Sequence, residues 1–548
     1  MIKSQVGFRF NLWTLAVVAI AVAIAAPVVF ILSSIFTHSG EVWTHLASTV
    51  LPGYLKNSLL LMVGVGIGVL VIGVGTAWLV TMCRFPGCRV FEWALLLPLA
   101  APAYLLAYVY TEWLEFYGPV QTSLRNIFGW SSVADYWFPD IRSVGGAIAL
   151  LTLTLYPYVY LLARVSFLEQ ATCTLEASRS LGCGPWRSFF TVALPLARPA
   201  IIAGLALALM ETLNDFGTVQ YFGVDTFTTG IYRTWFGLGE RVVAAQLAAV
   251  LMLFILGLLL LEIWSRRQAK YYQSGSRFEP LTPFKLRNIR AIIAFFACLI
   301  PIGLGFLMPG GLLLQMTLNN WDTILDPRFF DFASHSLILA IITAFLSIIV
   351  ALVMAYGVRL NHNLTMIIPT RIAAMGYAIP GSVIAVGILI PVGRLDNFID
   401  SFMRATFNIS TGLIFSGTII ALVYAYLVRF LAVSYGAVES SLSKIKPNLD
   451  EAARSLGHRP TSTLIQVHAP MMWGGLLTAG MLTFVDVMKE LPATLVIRPF
   501  NFDTLAIRVY NLAADERLAE AAGPALAIIA VGIIPVIFLS LKITQSRY

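Results

Sequence analysis

The stretch Glu176-Ala177-Ser178-Arg179-Ser180-Leu181-Gly182 returns as Glu451-Ala452-Ala453-Arg454-Ser455-Leu456-Gly457, a displacement of 275 positions. Each copy is followed at fixed distances by hydrophobic residues and a proline: Val192, Leu194 and Pro195 in the first, Val467, Ala469 and Pro470 in the second. The Glu-Ala-Ala-Arg-Ser-Leu run is good helix-forming sequence. A glycine just after it can take the left-handed conformation that ends a helix, and a proline suits the first turn of the helix that follows. The spacing therefore predicts a short helix, a sharp turn and a second short segment, twice in one chain.

Outward from these loops the repeat continues. The shift of 275 carries Glu211 onto Asp486, Asp215 onto Glu490, Thr229 onto Thr504 and Arg233 onto Arg508. A shift of 278 matches Asn57-Ser58-Leu59 with His335-Ser336-Leu337, Ala77 with Ala355, and Pro102 with Pro380. Between the repeated features the chain is apolar: 58% of its 548 residues are hydrophobic and 12% charged, against about 25% charged in a soluble domain. The mean hydropathy is +0.82. Crossing a hydrocarbon core takes roughly 20 apolar residues. Such stretches lie near 13–36, 55–82, 92–112, 145–168, 197–222, 241–264, 291–314, 334–357, 372–393, 413–437, 471–497 and 524–542. The first follows Lys3 and Arg9 and reads as an uncleaved span, because its apolar run of about 20 residues exceeds the 7 to 15 of a signal-peptide core.

The expected fold is an all-α polytopic membrane protein of about 12 transmembrane helices in two six-helix repeats. An even number of spans per repeat gives both the same orientation, related by an axis along the membrane normal. The expected divisions are 1–264 and 291–548, joined by a linker at 265–290 that carries Arg266, Arg267, Lys270, Arg277, Lys285, Arg287 and Arg290. With the N-terminus inside, about 24 of the 36 lysines and arginines fall on the cytoplasmic side, as the positive-inside rule requires. Both termini and both Gly-terminated loops are then cytoplasmic. The net charge of +8 is largely this topological bias and gives no reason to invoke nucleic acid.

Several chemistries are excluded or unsupported. None of the eight lysines follows a glycine, so the chain lacks the Gly-Lys pair of a P-loop. The glycines at 64, 66, 68, 73 and 75 lie inside the second span, where close helix packing accounts for them better than nucleotide binding. Cys83, Cys88, Cys173, Cys183 and Cys298 fall within spans or on the inner side, where thiols stay reduced. Cys83 and Cys88 have no nearby further ligand to complete a zinc site, and the six histidines form no close pair. No metal centre, cofactor or catalytic residue is expected, and the chain does not read as an enzyme.

Ionisable groups inside spans are costly and are candidates for function by default. Glu211 and Asp215 sit in the fifth span, and Asp486, Lys489 and Glu490 in its counterpart. The spacing i, i+4 places each carboxylate pair on one helix face, a geometry that suits a symmetric acidic translocation path. Local neutralisation is the competing reading, with Lys489 pairing Asp486 at i, i+3.

The doubled loop resembles the EAA loop of the MetI-like permeases of binding-protein-dependent ABC importers, with Ala469 departing from the family's usual leucine. Asn214-Asp215-Phe216-Gly217-Thr218 and Lys489-Glu490-Leu491-Pro492-Ala493-Thr494-Leu495 are similar to segments of the fused ferric-iron permeases. The resemblance implies that Glu176, Ala177, Ser178, Arg179, Gly182, Glu451, Ala452, Ala453, Arg454 and Gly457 dock a separate ATPase, in two copies. It also implies a periplasmic substrate-binding protein, ATP used only by the partner, and a place in the bacterial inner membrane. Fused thiamine and aminoalkylphosphonate permeases are alternatives for the solute. An ion-coupled secondary transporter is a further one, disfavoured because such proteins often carry inverted repeats.

Overall fold

Lipid offers a backbone no partner, so an apolar run crosses a membrane as a helix that satisfies its own peptide groups. The computed structural model describes residues 12–37, 40–169, 185–267, 284–321, 327–361 and 363–545. Its principal helices are α1 (Leu12–Ser33), α2 (Leu51–Met82), α3 (Ala103–Leu114), α4 (Val144–Glu169), α5 (Leu194–Asn214), α6 (Arg241–Arg267), α7 (Ile289–Ile302) and α8 (Met308–Asn319). They continue as α9 (Pro327–Leu360), α10 (Gly381–Phe407), α11 (Ile419–Ser443), α12 (Asn448–Ser455), α13 (Trp473–Met488), α14 (Leu505–Ala514) and α15 (Leu518–Gln545). Among the described residues ten helices are long and apolar enough to cross a membrane, or twelve if each of two sharply bent pairs counts as one crossing. The only strands among them, Cys83–Arg84 and Phe284–Lys285, form a two-residue parallel pair. The chain is an all-α polytopic membrane protein.

Four of the expected spans are not continuous. A residue before proline is pushed out of the helical region, and this breaks the stretches 92–112 and 372–393 at matching places. Ala101 is extended (φ −102°, ψ 117°) before Pro102 and α3. Ile379 is extended (φ −89°, ψ 129°) before Pro380 and α10. The stretches 197–222 and 471–497 break where α5 ends at Asn214 and α13 at Met488, each followed by a short helix, Gly217–Tyr221 or Pro492–Ile497.

The helices pack as two units. In one, formed from 38–330 with 505–548, α2 lies along α4, α5 packs on both, and α15 packs against α8 and α14. Glycine makes the α2–α4 contact close. A Cβ at Gly64 would fall 2.6 Å from Ile148, at Gly68 2.6 Å from Thr152, and at Gly73 2.8 Å from Val159. The expectation that the glycines of this span serve close helix packing is met at Gly64, Gly68 and Gly73, whereas a Cβ at Gly66 would make ordinary contact with Leu209 at 3.5 Å and one at Gly75 would meet nothing within 4 Å. In the other unit, 1–37 with 331–504, α1 packs against Leu364–Ala373 and α10, and α11 against α13. The packing units thus cut across the sequence repeats, grouping the first span of each with the larger part of the other.

The repeat is nevertheless one of contacts as well as letters. Asn57 Nδ2 donates to the Asp225 carbonyl at 2.9 Å, and His335 Nδ1 lies 3.0 Å from the Asp503 carbonyl. Both partners are displaced by 278 between the two bonds.

Candidate functional site

The second Gly-terminated loop lies within the described residues; the first, with Glu176, Ala177, Ser178, Arg179 and Gly182, lies outside them. Helix α12 carries Asp450 and Glu451 in its first turn and Arg454 in its last, an order that complements the helix dipole. Gly457 follows at φ +83°. Its N–H donates to the Arg454 carbonyl at 3.0 Å, and that of His458 to Ala453 at 3.0 Å, which closes the end of the helix as a left-handed glycine cap does. Ala453 is buried, whereas Glu451, Ala452, Arg454 and Ser455 are exposed. Leu456 projects an apolar side chain that is 79% exposed. The loop presents a capped, mixed polar and apolar knob.

Below the knob lies a polar cluster that sequence reasoning missed. Arg359, at the end of α9, donates to Asp450 Oδ2 from Nε at 2.8 Å and from Nη2 at 2.6 Å. It also donates to the carbonyls of Leu442 and Ile445 at 2.7 and 3.0 Å. His468 Nε2 lies 2.7 Å from Asp450 Oδ1, and its ring is fully buried. Burial pushes the Asp450 carboxyl up, but the hydrogen bonds from His468 and Arg359 and the guanidinium charge outweigh it, holding the group below the ordinary aspartate range.

A wide-turned π segment precedes the next span in both repeats: Phe189–Ala193 before α5 and Leu464–His468 before Ala469–Met471. Pro195 and Pro470 sit at the start of the helices that follow, as expected. The second repeat then bends by 82° before α13, while the first runs straight into α5.

The intramembrane charges do not have the expected geometry. Each carboxylate pair was expected on one helix face, but Asp215 and Glu490 lie beyond the ends of α5 and α13. Each instead serves the short helix that follows. Asp215 accepts from the Thr218 hydroxyl at 3.0 Å and the Val219 N–H at 3.1 Å. Glu490 accepts from the Ala493 N–H at 3.0 Å. A carboxylate there satisfies free N–H groups and complements the dipole. Glu490 also pairs with Arg429 at 3.0 Å, with both side chains buried. Lys489 Nζ pairs with Asp486 at 2.8 Å, so the local neutralisation is present. Glu211 lies on α5, partly buried. Asn214, at the break itself, is 3% exposed, and its amide has no hydrogen-bond partner among the described residues.

Residues 69–270 match the family described as "Binding-protein-dependent transport system inner membrane component". A Fe(3+)-transport system permease protein of Haemophilus influenzae is 26% identical over 494 residues, spanning 88% of this chain and 89% of the relative. A ferric transport system permease protein of Actinobacillus pleuropneumoniae is 24% identical across 95% of this chain and 74% of its own length. A molybdenum transport system permease protein of Escherichia coli is 34% identical over 151 residues, 27% of this chain and 62% of the relative. The doubled loop and the helical architecture agree with that match: residues 69–270 carry a domain of the binding-protein-dependent transport permeases, and over most of its length the chain is similar to permease components of such systems.

Proposed function

We propose that the chain carries ferric iron from periplasm to cytoplasm across a bacterial inner membrane, driven by ATP hydrolysed on two copies of a separate subunit. The observation that carries the choice of solute is the extent of similarity to the Fe(3+)-transport relative, which runs through both repeats. The molybdenum relative gives a second reading, since its local identity is higher although it covers a quarter of the chain. The knob around Gly457, with its counterpart at Glu176–Gly182, is the docking surface for the ATPase, and a periplasmic binding protein delivers the solute. The helix breaks at Asn214–Gly217 and Met488–Pro492 are the places where solute meets the chain, because broken helices gather polar groups at membrane depth. The buried, unpartnered amide of Asn214 supports this reading.

Cells lacking their own ferric importer, supplied with this chain and its partner proteins, are expected to take up labelled ferric iron in preference to molybdate. Gly457→Val places a β-branched residue at φ +83°, a conformation that costs such residues roughly 1–2 kcal/mol or more. Uptake should then fall at least about tenfold, with membrane insertion unchanged. Molybdate uptake without iron uptake would transfer the reading to the oxyanion; full uptake by the Gly457→Val chain would remove the docking role.

A further inference from the structure

The two Gly-terminated loops are alike in sequence, but the residues that fasten the second to the helices around it have no sequence counterparts in the first repeat. In the second repeat the fastening is ionic. Arg359 on α9 grips Asp450 of α12 through two nitrogens, at 2.8 and 2.6 Å. The same guanidinium reaches the Leu442 carbonyl near the end of α11 at 2.7 Å. His468, in the π segment, closes the other carboxylate oxygen at 2.7 Å, and its ring sits 5.4 Å from that of Tyr356 on α9. Four elements meet at one carboxylate.

The shifts that align the repeats place Thr81, Leu175 and Ala193 opposite Arg359, Asp450 and His468. No member of the ionic cluster is present there. Among the described residues, Thr81 bonds within its own helix, to the Ala77 carbonyl at 2.6 Å. Aromatic rings join the corresponding elements: Trp78 on α2 lies 4.8 Å from Phe189 in the first π segment and 5.5 Å from Phe167 on α4. These rings correspond to Tyr356, Leu464 and Leu442.

The physical difference is direction. Ring contacts tolerate small slips, since their attraction varies slowly with geometry. A guanidinium held on a carboxylate and two carbonyls is fixed in distance and angle. We infer that Arg359, Asp450 and His468 form a clamp that passes movement of the second docking knob to α9 and α11. The clamp residues position the knob and do not touch solute. This inference rests on the docking reading of the loops.

The test uses the full chain with its ATPase and binding protein, and labelled ferric iron as probe, with molybdate in parallel. ATPase retained on the tagged chain, ATP hydrolysed and solute taken up are measured separately. For Asp450→Leu and His468→Ala the solute moved per ATP hydrolysed should fall at least about fivefold, with the ATPase still retained, because a charge-assisted bond that transmits the movement is lost. Asp450→Asn keeps the side-chain shape, and it should lower the same ratio even if the larger changes impair folding. A ratio unchanged in Asp450→Asn complexes that hold the ATPase overturns the clamp. Failure of the unaltered chain to retain any ATPase overturns the docking reading and the clamp with it, a result distinct from the first.

Discussion

At the scale of single residues, the break after α13 depends on a charge that the first repeat does without. Glu490 answers both Arg429 and the Ala493 N–H from one oxygen, each at 3.0 Å. A Cβ at Gly381 would collide with both members of the pair, so the residue after Pro380 must be small for the arginine to reach. Removing one partner of a buried ion pair costs roughly 3–5 kcal/mol, because the other charge is left without compensation, whereas replacing both by uncharged residues of similar volume costs far less. Arg429→Met should therefore destabilise the detergent-solubilised chain more than Arg429→Met combined with Glu490→Gln. Thermal midpoints of the two singles and the double, read by fluorescence size exclusion, give the coupling. Strictly additive midpoints would mean that the pair contributes nothing as a pair.

At the scale of elements, the glycines of α2 were legible and the helix breaks were not. Small residues at helical spacing in an apolar run state their purpose, and the backbone contacts agree: at Gly73 a Cβ would meet Val159 at 2.8 Å and the Tyr156 carbonyl at 3.0 Å. Gly75 has nothing within 4 Å. Gly73→Leu should thus part α2 from α4 and lower folded yield, at an overpacking cost of about 1–3 kcal/mol or more. Gly75→Ala should be neutral or slightly stabilising, since alanine is the better helix former. Equal yields of the two variants would contradict this view of the interface. The breaks escaped because hydropathy averages over them: Asp215 and Glu490 stand one and two residues past the ends of apolar helices and look like members of them. Ala101-Pro102 and Ile379-Pro380 did carry the signal, since the residue before a proline is turned away from the helix, whereas Leu491, before Pro492, stays in the helical region (φ −112°, ψ −54°). Arg359, Asp450 and His468 were hidden for a different reason. They stand about 90 positions apart or are separated by a turn, and a single sequence shows no such meeting.

At the scale of the molecule, the repeat sets the architecture, while at two places in the second copy charge stands where the first has apolar or neutral contact. The loop cluster holds Arg359, Asp450 and His468 against Thr81, Leu175 and Ala193, and the break holds a buried Arg429–Glu490 pair where Asp215 manages with a threonine and an N–H. A parallel repeat fixes more than packing, because matched loops must then lie on the same side of the membrane. Lys444, Lys446, Arg454 and Arg459 surround the second knob, and retained basic residues mark the cytoplasmic side. Ser131 and Ser410 are exposed residues in the loops before α4 and α11, close to one displacement of 278 apart. They should both face the periplasm, and Ser455, exposed on α12, the cytoplasm. With the five native cysteines replaced, Ser131→Cys and Ser410→Cys should react with an impermeant maleimide in intact spheroplasts. Ser455→Cys should react only after the membrane is opened. Opposite labelling of Ser131→Cys and Ser410→Cys would make the repeats inverted rather than parallel, and labelling of Ser455→Cys from outside would turn the docking knob away from any source of ATP.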